Sequence, residues 1–143
     1  PVGVSSEREI FDLQLSEYVP EAELLDRFVK ANNDVFEILG CEYIENKAPA
    51  ASVAYSNSVY EIEFDKTIEN APELPQEIVA KRKKGEKVYV IASFLKSLTR
   101  ENDRMRITLE SKPTGTLRID LLCGEVAQLN GLKVKSITRI EQF

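Results

Sequence analysis

A chain of 143 residues, 43% apolar and 30% charged, has the length and make-up of one ordinary folded domain, able to bury about two-thirds of the surface its unfolded form exposes. It contains no histidine, which excludes Ser-His-Asp and Cys-His catalysis and histidine-bound zinc within the chain itself. No apolar run approaches the ~20 residues of a bilayer span and no signal-peptide pattern opens the chain, so the expected setting has no membrane: the cytoplasm or another reducing intracellular compartment.

The net charge of −5 conceals an asymmetry, because residues 1–80 hold 17 acidic and 5 basic side chains while residues 81–143 hold 7 and 14. Such a split suits docking to a partner of opposite charge, or attraction between the two parts inside the fold. Cys41 and Cys123 lie far apart and lack C-x-x-C spacing, as two buried free thiols would.

In chain order, "SEREIFDLQL" (6–15) alternates Phe11, Leu13 and Leu15 with polar residues and predicts a strand. "VPEAELLDRFVKANNDVFEILG" (19–40) predicts a helix with Pro20 in its first turn, Glu21 and Glu23 at its positive end and Gly40 as its stop. Its apolar stripe is Leu24, Leu25, Phe28, Val29, Val35, Phe36 and Leu39, with Asn32 and Asn33 as a kink or a fresh cap. Residues 45–58 are small and polar, a connection and the best candidate for a hinge. "VYEIEFD" (59–65) alternates strictly, Tyr60, Ile62 and Phe64 against Glu61, Glu63 and Asp65, as a half-wet strand does.

"PQEIVAKRKKG" (75–85) reads as a short helix whose basic last turn and Gly85 suit the negative end of a helix dipole. From Lys87 onward "KVYVIASFL", "RMRITLE", "LRIDLL" and "LKVKSITRI" read as strands, separated by turn chemistry in "TREND", "KPTG", "CG" and "NG". Asn130-Gly131 is the strongest hairpin signal among these. The expected fold is α+β: one domain over residues 1–143, in which an amphipathic helix of the N-terminal part (1–48) packs on a small antiparallel β-barrel or twisted sheet of OB or SH3 type (53–140).

The stretch "AKRKKGEKVYVIASFLKS" (80–97) sets four consecutive cations before an apolar run. Basic residues, then Gly-Glu-Lys and a β-branched strand resemble the approach to the last strands of OB-fold barrels, including bacterial single-stranded-DNA-binding proteins, over residues 77–110. The resemblance implies basic and aromatic side chains that hold phosphates and stack bases. Candidate nucleic-acid or partner-binding residues are Lys81, Arg82, Lys83, Lys84, Lys87, Tyr89, Phe94, Arg104 and Arg106. The plainer reading of the same stretch is a helix end followed by a core strand.

Glu61, Glu63 and Asp65 could share one strand face, where Mg²⁺ binding is conceivable. Glu110-Ser111-Lys112 has the E-x-K spacing of the PD-(D/E)xK nucleases, and Pro1 is similar to the N-terminal proline that acts as general base in the tautomerase superfamily. No catalytic residue, metal ligand or cofactor is assigned. The sequence therefore leads to a non-enzymatic interaction or assembly subunit, of a multi-protein or viral particle, that self-associates or docks a protein. A single-stranded nucleic-acid module is the alternative, and a carboxylate-metal nuclease the third reading. Each of them turns on where the cations and carboxylates lie.

Overall fold

The computed structural model describes residues 3–32, 34 and 37–143. It divides into two compact units, residues 11–50 and the remainder. The boundary at 50/51 falls inside the predicted hinge.

Residues 11–50 are organised around helix α1 (Glu21–Ala31), with Pro20 at its N-cap and Lys30 in its last turn. Glu23–Arg27 at 2.5 Å and Asp26–Lys30 at 2.7 Å are i,i+4 ion pairs on its surface. A clasp closes beside its first turn. Tyr43 donates its hydroxyl to the Val19 carbonyl at 2.5 Å, donates its backbone N–H to the Glu21 carboxylate at 2.8 Å and stacks on Tyr18 with ring centroids 5.3 Å apart. The helix ends at Ala31, not at Gly40, because the chain turns extended at Asn32. Of the expected stripe, Leu24, Leu25 and Phe28 are half-buried, Val29 and Leu39 are exposed, and Val35, Phe36 and the adjacent Asn33 lie outside the described residues. No described residue of α1 is buried.

The other unit begins with β1 (Ser5–Ser6) and resumes with α2 (Ala51–Ala54), β2 (Asn57–Phe64), β3 (Glu77–Arg82), β4 (Gly85–Val90), a 3-10 turn (Ile91–Ser93), β5 (Leu95–Glu101), β6 (Arg104–Glu110), α3 (Ile119–Asn130) and β7 (Val134–Gln142). The alternation of residues 59–65 resolves as expected: Tyr60, Ile62 and Phe64 are buried, while Glu61 and Glu63 reach the wet face. One sheet runs β1-β7-β2-β6-β5, and β3-β4 form a second, two-stranded sheet. β6 and β7 both lie antiparallel to β2, so they run parallel to each other, and α3 carries the crossover between them. The larger sheet is open, with β1 and β5 at its edges, and no closed barrel forms. Ile62, Phe64, Met105 and Ile107 of the sheet meet Leu122, Cys123 and Val126 of α3, and Ile78, Tyr89, Ile91 and Phe94 complete the same core.

Several local expectations are overturned, each for a structural reason. "PQEIVAKRKKG" is a strand and a turn, because β3 pairs with β4 from Glu77↔Val90 to Arg82↔Gly85. "LRIDLL" begins a helix, since Ile119, Leu122, Cys123, Val126 and Ala127 are the buried side and recur at helical spacing. Cys123-Gly124 therefore lies within α3 and is no turn. Asn130-Gly131 ends that helix instead of turning a hairpin: Gly131 adopts φ 62°, ψ 36° and donates its N–H to Ala127 O. Of the strand expected over residues 6–15, Ser6 alone is in β1, and residues 7–15 carry no regular element. Cys123 is buried and Cys41 half-buried, both free.

Candidate functional site

Residues 77–90 form a hairpin with two chemically different faces. Lys83 and Lys84 make its two-residue turn, and Gly85, at φ 110°, opens β4. Side chains alternate across each strand, so Ile78, Ala80 and Arg82 of β3 share a face with Tyr89 and Lys87 of β4, and Val79 and Lys81 share the other with Val90, Val88 and Glu86. Ile78 and Tyr89 are buried in the core. On the opposite face Val79, Val88 and Val90 are 48%, 51% and 50% exposed, with Val79 and Val88 directly cross-strand. Three half-bare β-branched side chains side by side form an apolar strip bordered by the Lys81–Glu86 cross-strand pair toward the turn and by Glu77 at its other end.

On the core side the cations gather on two rings. Tyr89 and Phe94 pack with centroids 5.7 Å apart. Arg82 donates to the Tyr89 hydroxyl at 2.5 Å, the Lys87 ammonium lies 4.9 Å from the centre of the Tyr89 ring, and the Lys112 ammonium lies 5.8 Å from that of Phe94. Lys87 also donates to the Thr114 carbonyl at 2.5 Å. Tyr89 and Phe94 are only 6% and 7% exposed, so their faces are occupied by core and cations and are not open for bases to stack on.

Arg104 and Arg106 stand apart from the hairpin, on β6. Arg104 meets Glu61 at 2.6 Å and Arg106 meets the other oxygen of the same carboxylate at 3.0 Å. The Arg106 hydrogen bond, with that of Arg104, holds the Glu61 carboxyl below the usual carboxylate range despite partial burial. Lys135 pairs with Glu63 at 3.2 Å, and the same wet face encloses a hollow of about 260 Å³ bordered by Glu7, Ser136 and Thr138. Glu61 and Glu63 thus do sit together beside a lysine, but their charge is taken up by Arg104, Arg106 and Lys135. Asp65 follows an irregularity of register at Glu63/Phe64 and accepts the Lys133 N–H at 2.8 Å. Glu110 lies at the far end of the β2–β6 ladder, paired with Lys96 at 2.8 Å. Among the described residues no three or more Cys, Asp or Glu side chains come together as a metal site. Pro1 lies outside the described residues.

The nine candidates therefore separate: Lys81 on the valine face, Lys83 and Lys84 at the tip, Arg82, Lys87, Tyr89 and Phe94 on the core side, and Arg104 and Arg106 in the ion-paired sheet. Val79, Val88, Val90, Lys112, Thr114 and Gly115 are additions. The "KPTG" turn signal already marked residues 112–115, but nothing in it showed that the turn folds against Lys87.

Residues 1–129 match the family described as "Uncharacterized protein conserved in bacteria (DUF2344)". The chain belongs to the DUF2344 family. No curated protein and no solved structure matches it. No helix among the described residues of this DUF2344 chain is long and apolar enough to cross a membrane.

Proposed function

We propose that this DUF2344 chain is a non-catalytic assembly subunit that docks a second copy of itself through the outer face of the β3–β4 hairpin. The observation that carries the reading is the exposed strip Val79, Val88 and Val90, flanked by Lys81, Glu86 and Glu77 and lying above the Lys83-Lys84 tip. Exposed apolar surface rimmed by charge is what docking faces present. Residues 11–50 supply the complement, with nine acidic against three basic side chains and with Phe11, Leu13, Tyr18 and Leu39 all more than half exposed. Basic hairpin on acidic unit is a head-to-tail contact, which propagates into rings or filaments.

Magnitudes make this a weak contact. Covering the exposed half of three valines contributes about 1 kcal/mol each, less than the ~4–15 kcal/mol that association costs in lost freedom. Opposite charge must supply much of the difference, so the assembly depends on concentration and on salt.

Size-exclusion chromatography with light scattering, run at low and high ionic strength, tests it. The expected result is a mass above the monomer at low salt that falls toward the monomer at high salt, and a Val88→Glu variant with native circular dichroism that is monomeric throughout. A monomer at every protein and salt concentration overturns the reading. Salt-sensitive co-elution with a labelled single-stranded oligonucleotide would move Lys81, Lys83 and Lys84 to the nucleic-acid alternative.

A further inference from the structure

On the other face of the hairpin, Arg82, Lys87 and Lys112 are gathered on one pair of touching rings, and none of them has a carboxylate within ion-pair distance among the described residues. Lys96, Arg104, Arg106, Arg118, Lys135 and Arg139 of the same unit are each ion-paired, and what separates Arg82, Lys87 and Lys112 from the solvent-facing Lys66, Lys83 and Lys84 is that each of the three lies over one of the two touching rings. Glu110, whose charge Lys112 feels, gives its short contact to Lys96, and Glu86 projects to the valine face.

Two of the three cations are also held by side-chain hydrogen bonds, and the third stands on a closed turn. Lys87 is fixed by the Thr114 carbonyl and the face of Tyr89, and Arg82 by the Tyr89 hydroxyl. The turn carrying Lys112 closes on itself through mutual backbone hydrogen bonds with Gly115 at 3.1 and 2.9 Å. Gly115 makes room for this arrangement: a Cβ there would collide with the Lys87 ammonium, and its φ of 141° disfavours any other residue. Side chains ordered before a ligand arrives lose little freedom on binding, and a buried aromatic floor lowers the local dielectric and strengthens attraction to an anion.

We propose that Arg82, Lys87 and Lys112 form an anion site for a compact phosphoryl group, the terminal phosphate or pyrophosphate of a small ligand. A guanidinium fork and two ammonium groups match several charged oxygens at short range. The buried rings leave no platform for a flat base. This site is independent of the assembly reading, since it uses the opposite face of the hairpin.

The test is calorimetric titration of the intact chain with inorganic pyrophosphate and with inorganic phosphate at low salt, and in a separate arm with a short oligothymidylate. Saturable one-site binding of pyrophosphate is expected, weakened at least tenfold by Lys87→Met and by Arg82→Gln and unchanged by Lys66→Met, an exposed lysine of the same unit. Methionine keeps the apolar stem that lies along Tyr89, so the fold is preserved. Gly115→Ala, which removes no charge, should weaken binding by displacing Lys87. Non-saturable binding, or equal weakening by Lys66→Met, overturns the proposal. So does an oligonucleotide that binds more tightly than pyrophosphate with the same dependence on Arg82 and Lys87, since the site would then belong to a nucleic-acid backbone.

Discussion

Cys123 shows how position in the core sets the chemistry of a single side chain. Burial on α3, with the Asp120 carboxylate one turn away, pushes its thiol up to about 12. The folded state therefore holds the thiol proton above the pH at which the unfolded chain releases it, near 8.5. The resulting stabilisation is complete below that pH and is lost as pH climbs toward about 12. Cys41 differs, being half-buried with its Sγ–H directed at the Glu21 carbonyl, 3.6 Å away. A disulfide-exchange reagent at pH 8 should titrate one thiol quickly in the native protein and the second only in denaturant, and two equally fast thiols would refute the buried placement. On alkaline titration the melting midpoint of Cys123→Val should fall less than that of the native chain.

At the scale of elements, helix α3 depends on its ends. Gly131 holds the left-handed conformation that closes the helix, while Asn130 donates to Val126 and exchanges two hydrogen bonds with the Glu73 backbone. Gly131→Ala should cost about 1 kcal/mol, read as a lower denaturant midpoint with an unchanged slope; no change would mean that the cap is not under strain. The same helix marks the limit of what the sequence disclosed. Its buried residues recur at helical spacing, but Gly124 interrupts the pattern and reads as a turn; in the fold it lies within α3, where a Cβ would meet open space and nothing in the packing requires glycine. β2 was legible because from Tyr60 to Phe64 one face is buried while Glu61 and Glu63 on the other reach water. β3 was not, because Ile78, Val79 and Ala80 are three apolar residues in succession, and what makes them a strand is pairing with β4 beyond a lysine turn that lacks hairpin chemistry. The basic run was visible as charge, yet its division between a valine face and a ring-bound face follows from that pairing alone.

For the molecule as a whole, every buried residue among the described ones lies between Ser58 and Ile137. A chain of residues 51–143 should therefore unfold cooperatively by itself, with a midpoint near that of the full chain; from the described residues 3–10 it gives up the β1 ladder, the packing of Val4 on the core and the contacts of Glu7 and Glu9 with Arg139. A fragment with a broad, uncooperative transition would show that the core needs more than its own residues. The crossover has a kinetic consequence too. β2 forms early in the chain yet lies between β6 and β7, and Ser58 is paired with Gln142, so the strand's second edge stays vacant until the hairpins and α3 have been threaded past it. Contacts so distant along the chain must close a large loop before they return any stability. Refolding is therefore slow for a protein of this length, and until β7 arrives the vacant edge is the place where a neighbouring chain can add a strand and begin aggregation.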